Sequence, residues 1–262
     1  MGKHAFITGA GSGLGKEFAK QLATEGWELH LADLDLKTLE EVSNEMDQNS
    51  IHLYHLNVAD KIQYEQVAQD VIKRAPSIHL VINNAGIGDG NFFHEYKMED
   101  WEHMIHVNLM GTYYGCHFFV PKMLEQKSGL IINVGSAAGF MNAPGMSAYN
   151  VSKAGVYAFS ETLYHELKSD QIHVSVLTPT FFKTNVMSRA KGSGRFKSFA
   201  AKQMEYSKTN AQEVAKITLQ QAFRKKFQII HPSEARRHYF IKKWFPKLIA
   251  KEFEKLVRKM KA

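Results

Sequence analysis

Seven short apolar runs, most of them separated by stretches of helical periodicity, constrain this 262-residue chain more than any other feature. The runs are Lys3–Thr8, Leu29–Ala32, Ile51–Leu56, Ile78–Ile82, Leu130–Val134, His173–Leu177 and Phe227–Ile230. Helical patterns occupy the segment up to Thr24, Lys61–Ala75 (stopped by Pro76), Met98–Leu124 (interrupted or thinned at Gly111 and Gly115), Pro144–Leu167 and Ala211–Phe223. Parallel strands need long crossovers, and helical crossovers cover both sheet faces. The expected class is therefore α/β, a single domain built on a doubly wound, parallel, seven-stranded sheet with helices on both faces.

The first run ends in Thr8-Gly9-Ala-Gly11-Ser12-Gly13-Leu14-Gly15 and passes into a helix. Strand, glycine loop and helix form the setting of a dinucleotide fingerprint. The glycines allow a tight turn and close approach of a pyrophosphate, which sits at the positive end of the helix. Asp33 closes the second strand about twenty residues on, where a carboxylate bonds the adenosine ribose hydroxyls. It would repel a 2′-phosphate, and Leu34 supplies no cation. NAD is preferred on this ground, with NADP as the alternative; a competing role for Asp33 is helix N-cap, a role Asp35 also suits.

A second constellation runs from Ser136 to Lys153. Tyr149 and Lys153 stand four apart on one expected helix and so share a face. An ammonium near a phenol favours the phenolate, so the Tyr149 pKa is expected below its usual value of about 10. Ser136, in the preceding loop, would hold a substrate oxygen against that phenol. Asn84, Ala85 and Gly86 end the fourth strand with small and amide groups suited to a backbone packed beside a cofactor.

Composition bounds the remaining possibilities. No apolar run approaches the roughly 20 residues of a membrane span, and the chain enters its first strand at Lys3 without room for a signal peptide. The expected compartment is cytoplasmic. Cys116 stands alone and reads as a small buried apolar residue, and no spacing suggests a metal site. The net charge of +7 is concentrated in the tail: residues 224–262 hold thirteen Lys/Arg and three Glu, a balance of +10. From Ile241, apolar residues recur at helical spacing with lysines between them, and Pro246 fits a first turn. The organisation expected is a catalytic domain over residues 1–231 with a basic amphipathic helical extension, 232–262, belonging to the same domain. The tail reads either as an anchor on anionic lipid or as a pocket cap or subunit contact. Nucleic-acid binding is disfavoured, since the excess charge lies on one helix without a recognition motif.

Taken together, Thr8-Gly-x-x-x-Gly-x-Gly15, Asn83-Asn-Ala-Gly86, Asn108, Ser136 and Tyr149-x-x-x-Lys153 resemble the short-chain dehydrogenase/reductase family over about residues 3–230. The resemblance implies a Rossmann fold, a nicotinamide cofactor and a homodimer or homotetramer. It implies that Tyr149 is the acid/base, that Ser136 polarises the carbonyl and that Lys153 binds the nicotinamide ribose and lowers the Tyr pKa. It implies further that Asn108 holds a relay water. Cofactor contacts implied by position are Val58, Phe182 and Thr184. Asn57 departs from the family's usual Asp near the adenine, and Thr180 after Pro179 departs from its usual Gly.

The reaction expected is interconversion of an alcohol with a ketone or aldehyde. Phe140, Met141, Pro144 and Met146 lie in the loop before Tyr149, and Phe181, Phe182 and Met187 follow the sixth strand. Both loops should border the pocket, which favours an apolar or amphipathic substrate. The glycine- and lysine-rich piece Ala190–Ser198 reads as a mobile loop over the same edge. Two other functions fit the residues: a catalytically silent dinucleotide-binding sensor or scaffold, and a membrane-surface NADPH-dependent reductase of lipid-like ketones.

Overall fold

The computed structural model describes residues 2–46, 50–182, 194–232 and 234–261. The seven strands are β1 (His4–Thr8), β2 (Glu28–Asp33), β3 (Ile51–His55), β4 (Leu80–Asn83), β5 (Gly129–Val134), β6 (Ile172–Leu177) and β7 (Gln228–Ile229). They lie in the order β3-β2-β1-β4-β5-β6-β7, with every adjacent pair parallel. The chain moves outward from β1 to β3, then returns across the sheet to place β4 on the other side of β1. That reversal opens a groove at the carboxyl ends of β1 and β4, where ligands bind in sheets of this kind.

Helices cover both faces. On one, α1 (Gly13–Thr24) packs against α9 (Ala211–Phe223), and Phe18, Leu22, Val214 and Leu219 are buried over Ile7, Leu31 and Ile132. On the other, α3 (Lys61–Arg74), α5 (Gly111–Gln126) and α7 (Ser147–Glu166) cover Phe6, Val81 and Ile131. The rings of Phe6 and Phe119 meet at 4.7 Å. Each such buried side chain contributes about 1.5–3 kcal/mol relative to exposure. A polar thread crosses this second layer: Asn83 Nδ2 donates to Asn133 Oδ1 (2.8 Å), and Asn133 Nδ2 donates to Ser160 Oγ (2.9 Å). Cys116 is buried beside these amides, and burial pushes its thiol up to about 12.

Three segments differ from the sequence pattern. The stretch from Met98 is not one helix: α4 (Met98–Ile105) passes through a wider π turn, His106–Met110, before α5 begins. Of the piece expected as a loop, residues 190–193 lie outside the described residues, whereas Gly194 begins a helix, α8 (Gly194–Tyr206). The reason is visible in Phe196, which is buried against Gly90, so close that a Cβ there would meet the ring at 2.2 Å. The tail forms two helices, α10 (Glu234–Trp244) and α11 (Pro246–Lys261), because proline lacks the N–H that would continue the first. The helix α2 (Leu36–Ser43), capped by Asp35, joins β2 to the segment before β3.

Candidate active site

The loop after β1 brings its glycines where the fingerprint needs them. Gly9 has φ +66°, in the left-handed region that favours glycine. A Cβ on Gly15 would lie 2.0 Å from the Gly9 carbonyl oxygen, so the helix packs on the loop only without a side chain there. Ser12 precedes α1 without a side-chain cap, which leaves first-turn N–H groups facing the groove lined by Ser12, Gly13 and Leu14. Thr8 and Asn84 tie the floor together: Thr8 Oγ1 accepts from Asn84 N and Ala85 N (both 3.1 Å), and Asn84 Nδ2 donates to Thr8 O (3.0 Å). Thr8, Gly11 and Gly15 therefore support the cavity from behind, whereas Gly9, Ser12, Gly13, Leu14, Asn84, Ala85 and Gly86 line it.

Asp33 sits at the end of β2, buried, and accepts from Gly11 N (2.9 Å) and Asp35 N (3.2 Å). The capping role belongs to Asp35, which accepts from Lys37 N and Thr38 N at the start of α2. Leu34, Asn57 and Val58 continue this wall. The Asn57 side-chain oxygen accepts from Ala59 N (3.0 Å), which fixes the amide at the rim.

At the other end, Ser136, Tyr149 and Lys153 line the cavity together, brought there by β5, the short helix α6 (Ala138–Met141) and the first turns of α7. Lys153 is buried, and its Nζ donates to the Val134 carbonyl at 2.8 Å. It lies 5.9 Å from the centroid of the Tyr149 ring. Ser136 lines the cavity with Tyr149, and its hydroxyl accepts from Ala138 N (3.1 Å). Asn108 lies one layer deeper and is fully buried in the π turn. Its Oδ1 accepts from Ile87 N (2.8 Å), while Nδ2 donates to Ile87 O (2.9 Å) and to Ser152 Oγ (3.1 Å). A Cβ on Gly86 would stand 3.0 Å from Asn108 Oδ1 and 3.4 Å from Lys153 Nζ, so a glycine here keeps both groups close to the groove.

The protonation states correct the expectation drawn from spacing. Burial raises the Tyr149 phenol above 10, against a smaller downward pull from Ser136, and burial lowers Lys153 to about 8. Dense protein surrounds the phenol even though part of its surface opens to the groove. Desolvation disfavours the charged form of both groups.

The cavity has a volume of about 690 Å³, within the range of small-molecule sites. Met141, Met146, Phe181 and Phe182 line its apolar end, as do Pro179 and Thr180. Phe140 does not; its ring packs edge-on against Tyr239 of α10 at 5.0 Å. Thr184 and Met187 lie outside the described residues. Sequence reasoning missed Asp89, His103, Phe196 and Met204 as lining residues, and it missed His238. From the tail, Phe253, Leu256 and Met260 also line the cavity, so the inner face of α11 forms part of the wall. Their helical spacing was visible, but only the chain's path shows what they face.

Residues 3–193 match the family model for short chain dehydrogenases. The chain belongs to the short-chain dehydrogenase family. Among its relatives, the 3-oxoacyl-[acyl-carrier-protein] reductase FabG of Thermotoga maritima is 34% identical over 196 residues, which is 74% of this chain and 80% of that one. A short-chain dehydrogenase/reductase from Burkholderia phymatum, solved in complex with NAD, superposes with a TM-score of 0.85 at 31% identity, over 91% of this chain and 92% of that one. A Streptomyces avermitilis short-chain dehydrogenase structure, 21% identical, shares the fold over 98% of both chains with a TM-score of 0.86. The protein is thus an oxidoreductase of this family. Among the described residues, no helix is long and apolar enough to cross a membrane.

The lowered Lys153 pKa makes a prediction about stability. Between about 8 and the ordinary lysine value of 10.5, the unfolded chain holds a proton there that the folded chain has released. Stability contributed at this position therefore rises with pH across that window, by up to about 1.4 kcal/mol per pH unit. Chemical denaturation at several pH values should show this slope in the wild type and its loss in Lys153→Met. Equal slopes would contradict a buried ammonium.

Proposed function

We propose that this enzyme interconverts a secondary alcohol and a ketone carried on an apolar body, with NAD as its preferred cofactor. The observation that carries the reading is the convergence of Ser136, Tyr149 and Lys153 on one cavity whose far end is framed by the glycine loop and Asp33. The residues present suit a dinucleotide: glycines at the close approach, an open helix N-terminus for the pyrophosphate and a carboxylate at the ribose position. The Asp33 carboxylate lines the cavity at the end of β2, where it would accept from ribose hydroxyls. A 2′-phosphate would meet its negative charge.

The nicotinamide would supply or take the hydride. The protein manages the proton. Tyr149 exchanges it with the substrate oxygen through the phenolic oxygen, and Ser136, on the same cavity wall, holds the substrate oxygen as charge develops on it. Lys153 places a positive charge beneath the ring when protonated. Asn108 acts as a positioning residue, since its amide clamps Ile87 and, through Ser152, the turn that carries Tyr149. The apolar end built from Met141, Met146, Phe181 and Phe196, closed by Leu256 and Met260, accepts the rest of the substrate.

The tail supports a second part of the proposal. Whereas Phe253, Leu256 and Met260 face inward, Phe240, Trp244, Phe245 and Leu248 are 51–62% exposed at the junction of α10 and α11. Lys243, Lys247 and Lys251 are exposed around them. Exposed aromatics with a lysine collar suit the interface of an anionic bilayer, and the same charges disfavour a second copy docking on this patch. A lipid-like substrate would then enter beside the helix that walls the cavity.

Two outcomes test these assignments. In Tyr149→Phe, alcohol oxidation followed by cofactor absorbance should fall by at least about a thousandfold, the range of a lost acid/base. Calorimetry should still show NAD binding, with NADP at least about tenfold weaker. Retained turnover in that variant would remove the mechanism. For the tail, the full chain should co-sediment with vesicles rich in anionic lipid, and Trp244→Ser with Phe245→Ser should abolish this; equal partition of both proteins would refute the contact.

A further inference from the structure

At the opposite edge of the sheet, far from the cofactor groove, four histidines form a ladder across adjacent strands. Ring centroids step from His79 to His4 (6.3 Å), from His4 to His30 (5.7 Å) and from His30 to His52 (4.9 Å). His4 opens β1, Glu28 opens β2, and the parallel register sets these two opposite each other. Registers at His30 and His52 then carry the ladder into β3. No function described above uses these residues.

We propose that His4, Glu28 and His30 bind a divalent transition-metal ion of the zinc type. One ligand atom from each lies within 4.8 Å of the other two. His4 Nδ1 is 3.4 Å from His30 Nε2 and 3.7 Å from Glu28 Oε1. An ion about 2.0–2.1 Å from both nitrogens would see them at an angle of about 110°, close to tetrahedral. Two imidazoles and a carboxylate suit zinc, and the set is shared with several catalytic and structural zinc sites.

The surroundings suit one ligand tautomer. The Tyr54 oxygen, 3.1 Å from His30 Nδ1, can accept an Nδ1–H. That leaves the Nε2 lone pair pointing at the cluster. Metal-bound histidines use this arrangement, with the distal N–H held by an oxygen partner.

The site also has an entrance. His4 and His30 are buried, but the Glu28 and His52 side chains are about a third exposed (34% and 32%). His52 Nε2 stands 3.1 Å from Glu28 Oε1, so the open coordination position faces His52 and solvent. Glu28 and His30 stand two apart on β2 and so share a face, but His4 joins them only through the register of β1 with β2. An ion there would staple β1 to β2 at their starts. Its effect should fall on stability, since Gly9 and Asp33 occupy the opposite strand ends. The inference is independent of the oxidoreductase assignment.

The test uses the full chain without an affinity tag, stripped with a chelator and dialysed. Titration with cobalt(II) near neutral pH should give one equivalent of binding with the intense visible absorption of a four-coordinate ion. Zinc(II) should displace it and raise the melting temperature. Glu28→Gln changes a partly exposed side chain without altering its shape, and should weaken binding by at least about tenfold while NAD binding is retained. His4→Asn should do the same if it folds. Absence of four-coordinate absorption in the wild type, or identical titrations in wild type and Glu28→Gln, would overturn the proposal.

Discussion

A single ammonium placed under the carboxyl end of a buried strand governs the working half of this protein. Lys153 reaches the Val134 carbonyl from α7, and that contact seats the helix on β5. Burying such a charge is unfavourable unless it is well bonded, and the structure answers by lowering its pKa to about 8. The same burial raises the neighbouring phenol. Two groups whose charged states are both disfavoured by burial are thus held one helix turn apart. The enzyme thereby keeps an acid/base unit at the cost of local stability, a common arrangement at functional sites.

The rest of the fold serves to hold that pair beside the dinucleotide groove. The reversal in strand order at β1 and β4 creates the groove, and the glycine loop lets α1 approach it. The π turn in the helical stretch carrying Asn108 adds a second support. By widening one turn it aims the amide at Ile87 and Ser152, so β4's exit loop and α7 are tied to the same side chain. Local π geometry of this sort recurs at functional positions.

Much of this was legible in the residues, for identifiable reasons. The strands were found because fully buried parallel strands leave continuous apolar runs, and Tyr149 with Lys153 because four residues on a helix fix a shared face. Strand edges were less certain: β4 begins at Leu80, and Ile78 N, expected in the strand, donates to the Gln126 side chain. Phe196 was hidden in a glycine- and lysine-rich segment whose composition suggested a loop, and only Gly90 opposite it explains its burial. The inward face of α11 was visible as a stripe, but not its target. Spacing also misjudged the Tyr149 pKa, since sequence conveys proximity and not desolvation. The histidine ladder was invisible for another reason: its members meet only through register between strands far apart in the chain.

The pair can be observed directly. With tyrosine labelled at the ring carbon bearing the hydroxyl, the Tyr149 resonance is followed by NMR against pH in the wild type and in Lys153→Met. As Lys153 loses its charge beneath the ring, the still-protonated phenol signal moves with an inflection near 8, the Lys153 value, and this inflection disappears in the variant. A phenol signal that stays flat up to its ordinary range of about 10, unchanged by loss of the lysine, would contradict the account.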